Sequence, residues 1–337
     1  MAHPLTRRNL LGAMAASAGL AACSSPSPVA WNAQGASKGP LRLVFYTDVH
    51  ARTEWETPLA MAQAAEAINA RRADLVIAGG DLITDGFQNS AATVAPRWDA
   101  YMSMQRSIRP EVHAAIGNHD LVAAIPADGT PPAADPKAIF RERMGLERTY
   151  RSFDALGYHF VLLDSVEVTG GKLKYNGRIS AEQLDWLRGD LARLAPATPI
   201  VAVLHIPLLT TFYAITRGNA EPAPANRVVV NNKEALDLFR DYNLVLVLQG
   251  HLHVKELIRW REATFITGGA VCAKWWRGPW YGTQEGFNVV TLHEDRVEWE
   301  YVDTGWEARR PTNAALPQDD TQLAALWASG GTCGECC

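Results

Sequence analysis

Seven potential metal ligands in this 337-residue chain stand just beyond the ends of short apolar runs. Asp48 and His50 follow "LRLVFYT", Asp81 follows "DLVIAG" and Gly80, and Asn118 follows "EVHAAI" and Gly117. His205 closes "PIVAVLH", and His251 and His253 follow "LVLVLQG". Neutral imidazole is the commonest metal ligand in proteins. Nitrogen and oxygen donors without thiolate suit Mn, Fe, Co or Zn, and the residues do not choose among them. Side chains two apart in an extended chain share one side, so His251 and His253 are expected to face one point. Singly the residues say less: His205 suits a hydrogen-bonded core, and Asn118-His119-Asp120 suits a turn.

The runs that carry these residues are rich in Val, Ile and Leu, as strands buried on both faces are. "YHFVLLD" is a further run of the same kind. Helical patterns lie between them. "PLAMAQAAEAINARR" opens on a proline suited to a first helical turn. "SAEQLDWLRGDLARL" carries a capping-box pattern in Ser180 and Gln183, and "NNKEALDLFRDY" opens on asparagines able to cap. Then "ATFIT", "FNVVTLH" and "RVEWEYV" follow one another without helices. The expected architecture is an α/β core closed by an antiparallel stretch. In such sheets ligands bind beyond the carboxyl ends of the strands, where loops held by a rigid sheet place them accurately. Two long connections rich in Pro, Ala and Gly, 122–136 and 210–228, are expected to act as binding loops or lids.

The joint order D-x-H, G-D, G-N-H-D, H, G-H-x-H resembles the signature of the calcineurin-like metallophosphoesterases, and the resemblance runs from residue 41 to about 303. It implies a four-layer α/β/β/α sandwich with a mixed sheet and an antiparallel closing segment. It also implies two divalent metal ions roughly 3.5–4 Å apart, bridged by the two oxygens of Asp81. One ion would take Asp48, His50 and His253; the other would take Asn118, His205 and His251. The neutral oxygen of Asn118 would limit negative charge in front of an anionic substrate. The implied chemistry is hydrolysis of a phosphomonoester or phosphodiester by in-line attack of a metal-bound hydroxide. His119 lies beside the substrate in relatives, as proton donor to the leaving group or as a contact to phosphoryl oxygens. Asp120 would orient the other nitrogen of His119 or cap the turn. The motifs fit a class III cyclic-nucleotide phosphodiesterase equally well. A non-catalytic binding protein on the same scaffold is the reading outside enzymes, and seven filled ligand positions count against it. Purple acid phosphatases differ: Thr84 stands where they carry an iron-binding tyrosine, and they lack a counterpart of His50.

Substrate contact is expected from 266–287, "ITGGAVCAKWWRGPWYGTQEGF", one hairpin beyond the His-x-His run. Lys274 and Arg277 could meet a phosphate, while Trp275, Trp276 and Trp280 could pack on a flat or apolar group. Packing of the closing sheet is the other reading of the segment. His113, His159 and His293 read as structural.

Residues 1–22 have the layout of an export signal, with Arg7-Arg8 of the twin-arginine type and an apolar run too short to span a bilayer. Leu20-Ala21-Ala22-Cys23 resembles the lipobox of bacterial lipoproteins, which implies lipid on Cys23, membrane attachment and a place in the periplasm or cell envelope. A plain export signal is the alternative. Residues 23–40 read as a flexible tether, 41–305 as the phosphoesterase domain and 306–337 as a tail. Cys333, Cys336 and Cys337 in that tail read as oxidisable thiols of a disordered end, with disulfides or a soft metal as alternatives. A net charge of −4 leaves no basic footprint for nucleic acid.

Overall fold

The computed structural model describes residues 40–310. The export signal, Cys23, almost all of the tether and the cysteine tail lie outside the described residues. In chain order the elements are β1 (Leu41–Tyr46), α1 (Thr57–Ala70), β2 (Leu75–Ala78), α2 (Ala91–Ser107), β3 (Val112–Ala114), α3 (Ala138–Met144), β4 (Arg151–Ala155), β5 (Tyr158–Leu162), β6 (Val166–Val168), β7 (Tyr175–Gly177), α4 (Ala181–Leu191), β8 (Ile200–Val203), α5 (Phe212–Arg217), α6 (Asn232–Leu238), β9 (Leu244–Gln249), β10 (Glu256–Trp260), β11 (Ala263–Thr267), β12 (Gly286–Leu292) and β13 (Val297–Asp303).

Two mixed sheets face each other. The first has the order β13-β12-β1-β2-β3 and the second β10-β11-β9-β8-β5-β4, with β6 and β7 as a separate pair. The period-2 alternation of a strand decides what fills the space between them. Leu43, Phe45 and Ile77 of the first sheet share one buried cluster with Phe160, Leu162, Val201, Val203, Leu246 and Leu248 of the second. Their neighbours Val44, Tyr46, Val76, Val161, Ala202 and Val247 point outward into the cluster lined by the helices. Burying one such large apolar side chain is worth about 1.5–3 kcal/mol, and the runs are apolar throughout because both faces are covered.

Tyr46 and Tyr101 of α2 meet hydroxyl to hydroxyl at 3.0 Å on the outer face of the first sheet. His159 of β5 bonds Asp190 of α4 at 2.9 Å on the outer face of the second. Helix, sheet, sheet and helix therefore form the four layers that the sequence implies. The closing strands divide between the sheets: β12 and β13 extend the first sheet antiparallel, whereas β11 runs parallel to β9 in the second.

Local signals behave less uniformly. Ser180 caps α4 by accepting from the amide of Gln183, but the Gln183 side chain does not close the box; it spans the Asp164 backbone at 2.7 and 2.8 Å. Asn231 precedes α6 without capping it and instead pairs with both backbone groups of Ile179. Each side chain holds a neighbouring segment because a buried backbone group there needs a partner.

β1, β2 and β3 are parallel and so are β5, β8 and β9. β1 enters the fold at Leu41 and runs toward Asp48, so the chain begins the domain at the end of the sheet opposite its ligand-bearing loops.

Candidate metal centre

The ligand residues sit where the chain leaves the extended region. Asp48, His50, Asp81, His251 and His253 all have positive φ, from 43° to 74°. Asp and His tolerate that region better than most residues, so the backbone and the chemistry ask for the same types. Strand alternation therefore does not bring His251 and His253 to the site. β9 ends at Gln249, and two left-handed residues beyond it turn the imidazoles to different partners. Two glycines let the loops converge: a Cβ on Gly117 would lie 2.2 Å from Asp81 Oδ1, and one on Gly250 would lie 2.2 Å from Thr47 Oγ1.

All seven expected ligands are buried. On one side His50 Nε2 lies 3.1 Å from His253 Nε2, which lies 3.2 Å from Asp48 Oδ1. On the other, His205 Nε2 lies 3.0 Å from Asp81 Oδ2 and 3.3 Å from His251 Nδ1. Asp81 joins the halves, since the same Oδ2 is 3.6 Å from His50 Nε2. Its other oxygen is engaged elsewhere and accepts the His119 amide at 2.7 Å. One carboxylate oxygen is thus shared between the two groups, not one oxygen for each.

The remaining nitrogens of three rings donate to backbone carbonyls: His205 Nδ1 to Gly79, His251 Nε2 to Asn226 and His253 Nδ1 to Ala273, at 2.9, 2.9 and 2.5 Å. This is the usual way a protein fixes the tautomer of a metal-binding histidine. It turns His205 Nε2 and His251 Nδ1 toward each other and toward Asp81 Oδ2. In the ion-free site Asp81 pairs with His205: burial pulls His205 down, but Asp81 and Asp48 outweigh burial and raise its pKa to about 9. Burial holds His50 and His251 well below the ordinary histidine range, as neutral donors. Burial also opposes ionisation of Asp81, yet His205, His119 and His50 keep it well below the usual carboxylate range. The Asn118 Oδ1 atom is buried with no partner. This donor set fits two divalent cations.

Asp120 does not touch the His119 ring. Its carboxylate collects the amides of Gly117, Leu82 and Ile83 at 2.8, 2.7 and 3.2 Å, so it clamps the turn and is removed from the catalytic set. The His119 ring is oriented by a backbone group instead: its Nδ1 accepts the Asp85 amide at 3.1 Å. The neutral ring then carries its proton on Nε2, which is buried and without a partner.

The tryptophan segment divides. Trp276 is 2% exposed and its indole donates to the His50 carbonyl at 3.2 Å, so it supports a ligand from behind and is not a substrate contact. Trp275 lies against the site, its ring centroid 4.4 Å from that of His253. Lys274 Nζ stands 5.3 Å from the Trp280 ring, and Arg277 donates its amide to the Lys274 carbonyl, which closes the turn. Cys272 is buried with its sulfur 3.8 Å from His253 Nδ1. The connection 210–228 reaches the centre through Asn226, whereas 122–136 is tied to itself and its neighbours by backbone bonds such as Val122 to Pro136. Asn226 was not readable as a site residue, because it acts through a carbonyl that every residue has. His113 stacks on Phe153 and His293 pairs with Glu298, in keeping with structural roles.

Residues 41–255 match the calcineurin-like phosphoesterase family. The chain belongs to that family. A calcineurin-like phosphoesterase is a metal-dependent hydrolase of phosphoester bonds, and the family implies a dinuclear divalent centre. No curated protein matches the chain. Among solved structures, a dimetal phosphatase from Danio rerio aligns with a TM-score of 0.58 at 17% identity, covering 78% of this chain and 96% of that one. GAP50, the anchor in the inner membrane complex of Plasmodium, aligns with a TM-score of 0.54 at 14% identity over 87% and 95% of the two chains. These likenesses show the fold. A phosphatase and an anchor share it, so the activity of this calcineurin-like phosphoesterase has to be argued from its site.

Proposed function

We propose that this phosphoesterase hydrolyses a phosphomonoester or phosphodiester at two divalent ions. Asp48, His50 and His253 would hold one ion and Asn118, His205 and His251 the other, with Asp81 shared. The observation that carries this reading is the convergence of His205 Nε2 and His251 Nδ1, 3.3 Å apart and held by carbonyls behind both rings, beside Asp81 Oδ2, which lies 3.0 Å from His205 Nε2. Two bound ions would supply positive charge to the phosphoryl oxygens and acidify the attacking water. The chain supplies the rest: Asp81 aligns the two halves, Asp48 balances charge, and His119 offers its Nε2–H as a hydrogen-bond donor to the leaving oxygen.

Metal analysis is expected to give close to two ions per chain. A strong chelator should abolish turnover of an aryl phosphate, and added divalent metal should restore it. His253→Ala should weaken chiefly one of the two positions. A fully active preparation holding one ion or none would sink the dinuclear reading.

The leader supports a location as well. We infer export of the twin-arginine type, a partnership with that export machinery, and attachment to the membrane through lipid on Cys23, in the periplasm or cell envelope. Cys23→Ser is expected to release the protein into the soluble fraction. Intact-mass measurement showing an unlipidated Cys23 in the native protein would refute the anchor.

A further inference from the structure

Four buried polar atoms around the centre lack a hydrogen-bond partner: His50 Nδ1, Asn118 Oδ1, His119 Nε2 and the Tyr175 hydroxyl. Leaving such an atom unpaired costs about 1–3 kcal/mol, so each asks for an explanation. Asn118 Oδ1 is accounted for by a metal ion and His119 Nε2 by the leaving oxygen. His50 Nδ1 belongs to the side of its ring away from the ligand nitrogen. Tyr175 has no role in the family motifs and stands 55 or more residues from every motif but one.

Tyr175 belongs to β7, and its place is set by close backbone contact with the 225–230 segment. The Gly177 amide donates to Ala225 at 2.7 Å, and the Val230 amide donates to Gly177 at 2.8 Å. A Cβ on Gly177 would lie 2.3 Å from the Val228 carbonyl oxygen, so only glycine allows this approach. The same segment carries Asn226, whose carbonyl holds His251. The Asn226 side chain also lies near the Tyr175 hydroxyl, without the geometry of a hydrogen bond. The Tyr175 ring accordingly stands edge-on to His251, with centroids 6.3 Å apart, and against Phe87 at 5.5 Å. Arg227, next along, is close enough for its charge to act on His251, Tyr175 and Tyr213.

We propose that the Tyr175 hydroxyl donates a hydrogen bond to a non-bridging oxygen of the phosphoryl group held on the His205–His251 side. The inference rests on the phosphoesterase reading and makes Tyr175 a substrate-binding residue of that site, with Arg227 adding positive charge beside it. Burial raises the pKa of Tyr175 to about 12, so the hydroxyl keeps its proton across the physiological range.

Tyr175→Phe removes the oxygen alone. In the metal-loaded protein, calorimetric affinity for inorganic phosphate should fall about tenfold to hundredfold, the range of a hydrogen bond to a charged acceptor. Metal content should not change. The Tm of the metal-free variant should stay level or rise, since an unpaired buried hydroxyl has been deleted. Unchanged phosphate affinity, loss of metal, or a lowered Tm would each overturn the role of Tyr175. Turnover by the wild-type protein is measured alongside. A loaded wild type that neither binds phosphate nor hydrolyses an ester defeats the phosphoesterase reading itself, whereas an active wild type with an unchanged variant defeats only the role of Tyr175.

Discussion

Asp81→Asn is expected to empty both metal positions and to reduce turnover at least about 10³-fold, because the several kcal/mol contributed by metal charge in the transition state disappear with the ions. The reason lies in the hydrogen bond that the carboxylate already makes. Asp81 Oδ1 accepts the His119 amide at 2.7 Å, which leaves Oδ2 as the shared oxygen. An asparagine that preserves the amide bond must turn its NH2 toward His205 and His50. One that turns its oxygen to the ions sets its NH2 against the His119 N–H. Neither orientation rebuilds the bridge. Metal content by mass spectrometry and aryl phosphate turnover decide the matter: an Asp81→Asn protein that retains two ions would show that Asp81 is not shared.

His119→Asn should separate substrates by leaving group. A hydrogen-bond donor placed on the developing negative charge is worth roughly 10²–10³ in rate, and an alkoxide needs it far more than a nitrophenolate. Hydrolysis of an alkyl phosphoester should slow by that factor, while hydrolysis of a nitrophenyl phosphoester changes little. The proposed Asn118 ligand and Asp81 bridge are untouched, so two ions should remain. Asparagine can also accept the Asp85 amide that His119 Nδ1 accepts now, which keeps the loop in place. Equal losses on both substrates would assign His119 to positioning or electrostatics, and loss of metal would return it to the ligand set.

The donor residues that converge here were legible because apolar runs ending in glycine and a donor residue mark strand ends without knowledge of the pairing. The division of the strands between two sheets was not legible: β5 and β9 are as apolar as β1, and which sheet a strand joins is decided by long-range packing. The contrast between Trp275 and Trp276 was hidden for a local reason. Both are left-handed, at φ 49° and 65°, so neither strand nor helix periodicity says which ring faces the ions. Asp120 was ambiguous because a carboxylate after a ligand histidine can serve a ring or a turn, and the amides of Leu82 and Ile83 that claimed it come from another loop. Tyr175 carried no motif. Its relevance comes from the contact of Gly177 with a segment some 50 residues on.

The course of β1 bears on which molecules can reach the centre. A chain anchored at Cys23, as proposed, would enter the domain at one pole, and the converging donor residues lie beyond the opposite pole. A domain of this size has a radius of gyration of about 18 Å and a width of about 45–50 Å. A random-coil chain with the length of the 23–40 stretch would span about 25 Å on average. Turning the far pole back onto the leaflet that holds the lipid would need such a chain almost fully stretched, to about 60 Å, at a large cost in chain entropy. The mouth of the centre would therefore look outward from the supporting bilayer, and its clients would be solutes or polymers of the aqueous space in preference to headgroups of the same leaflet.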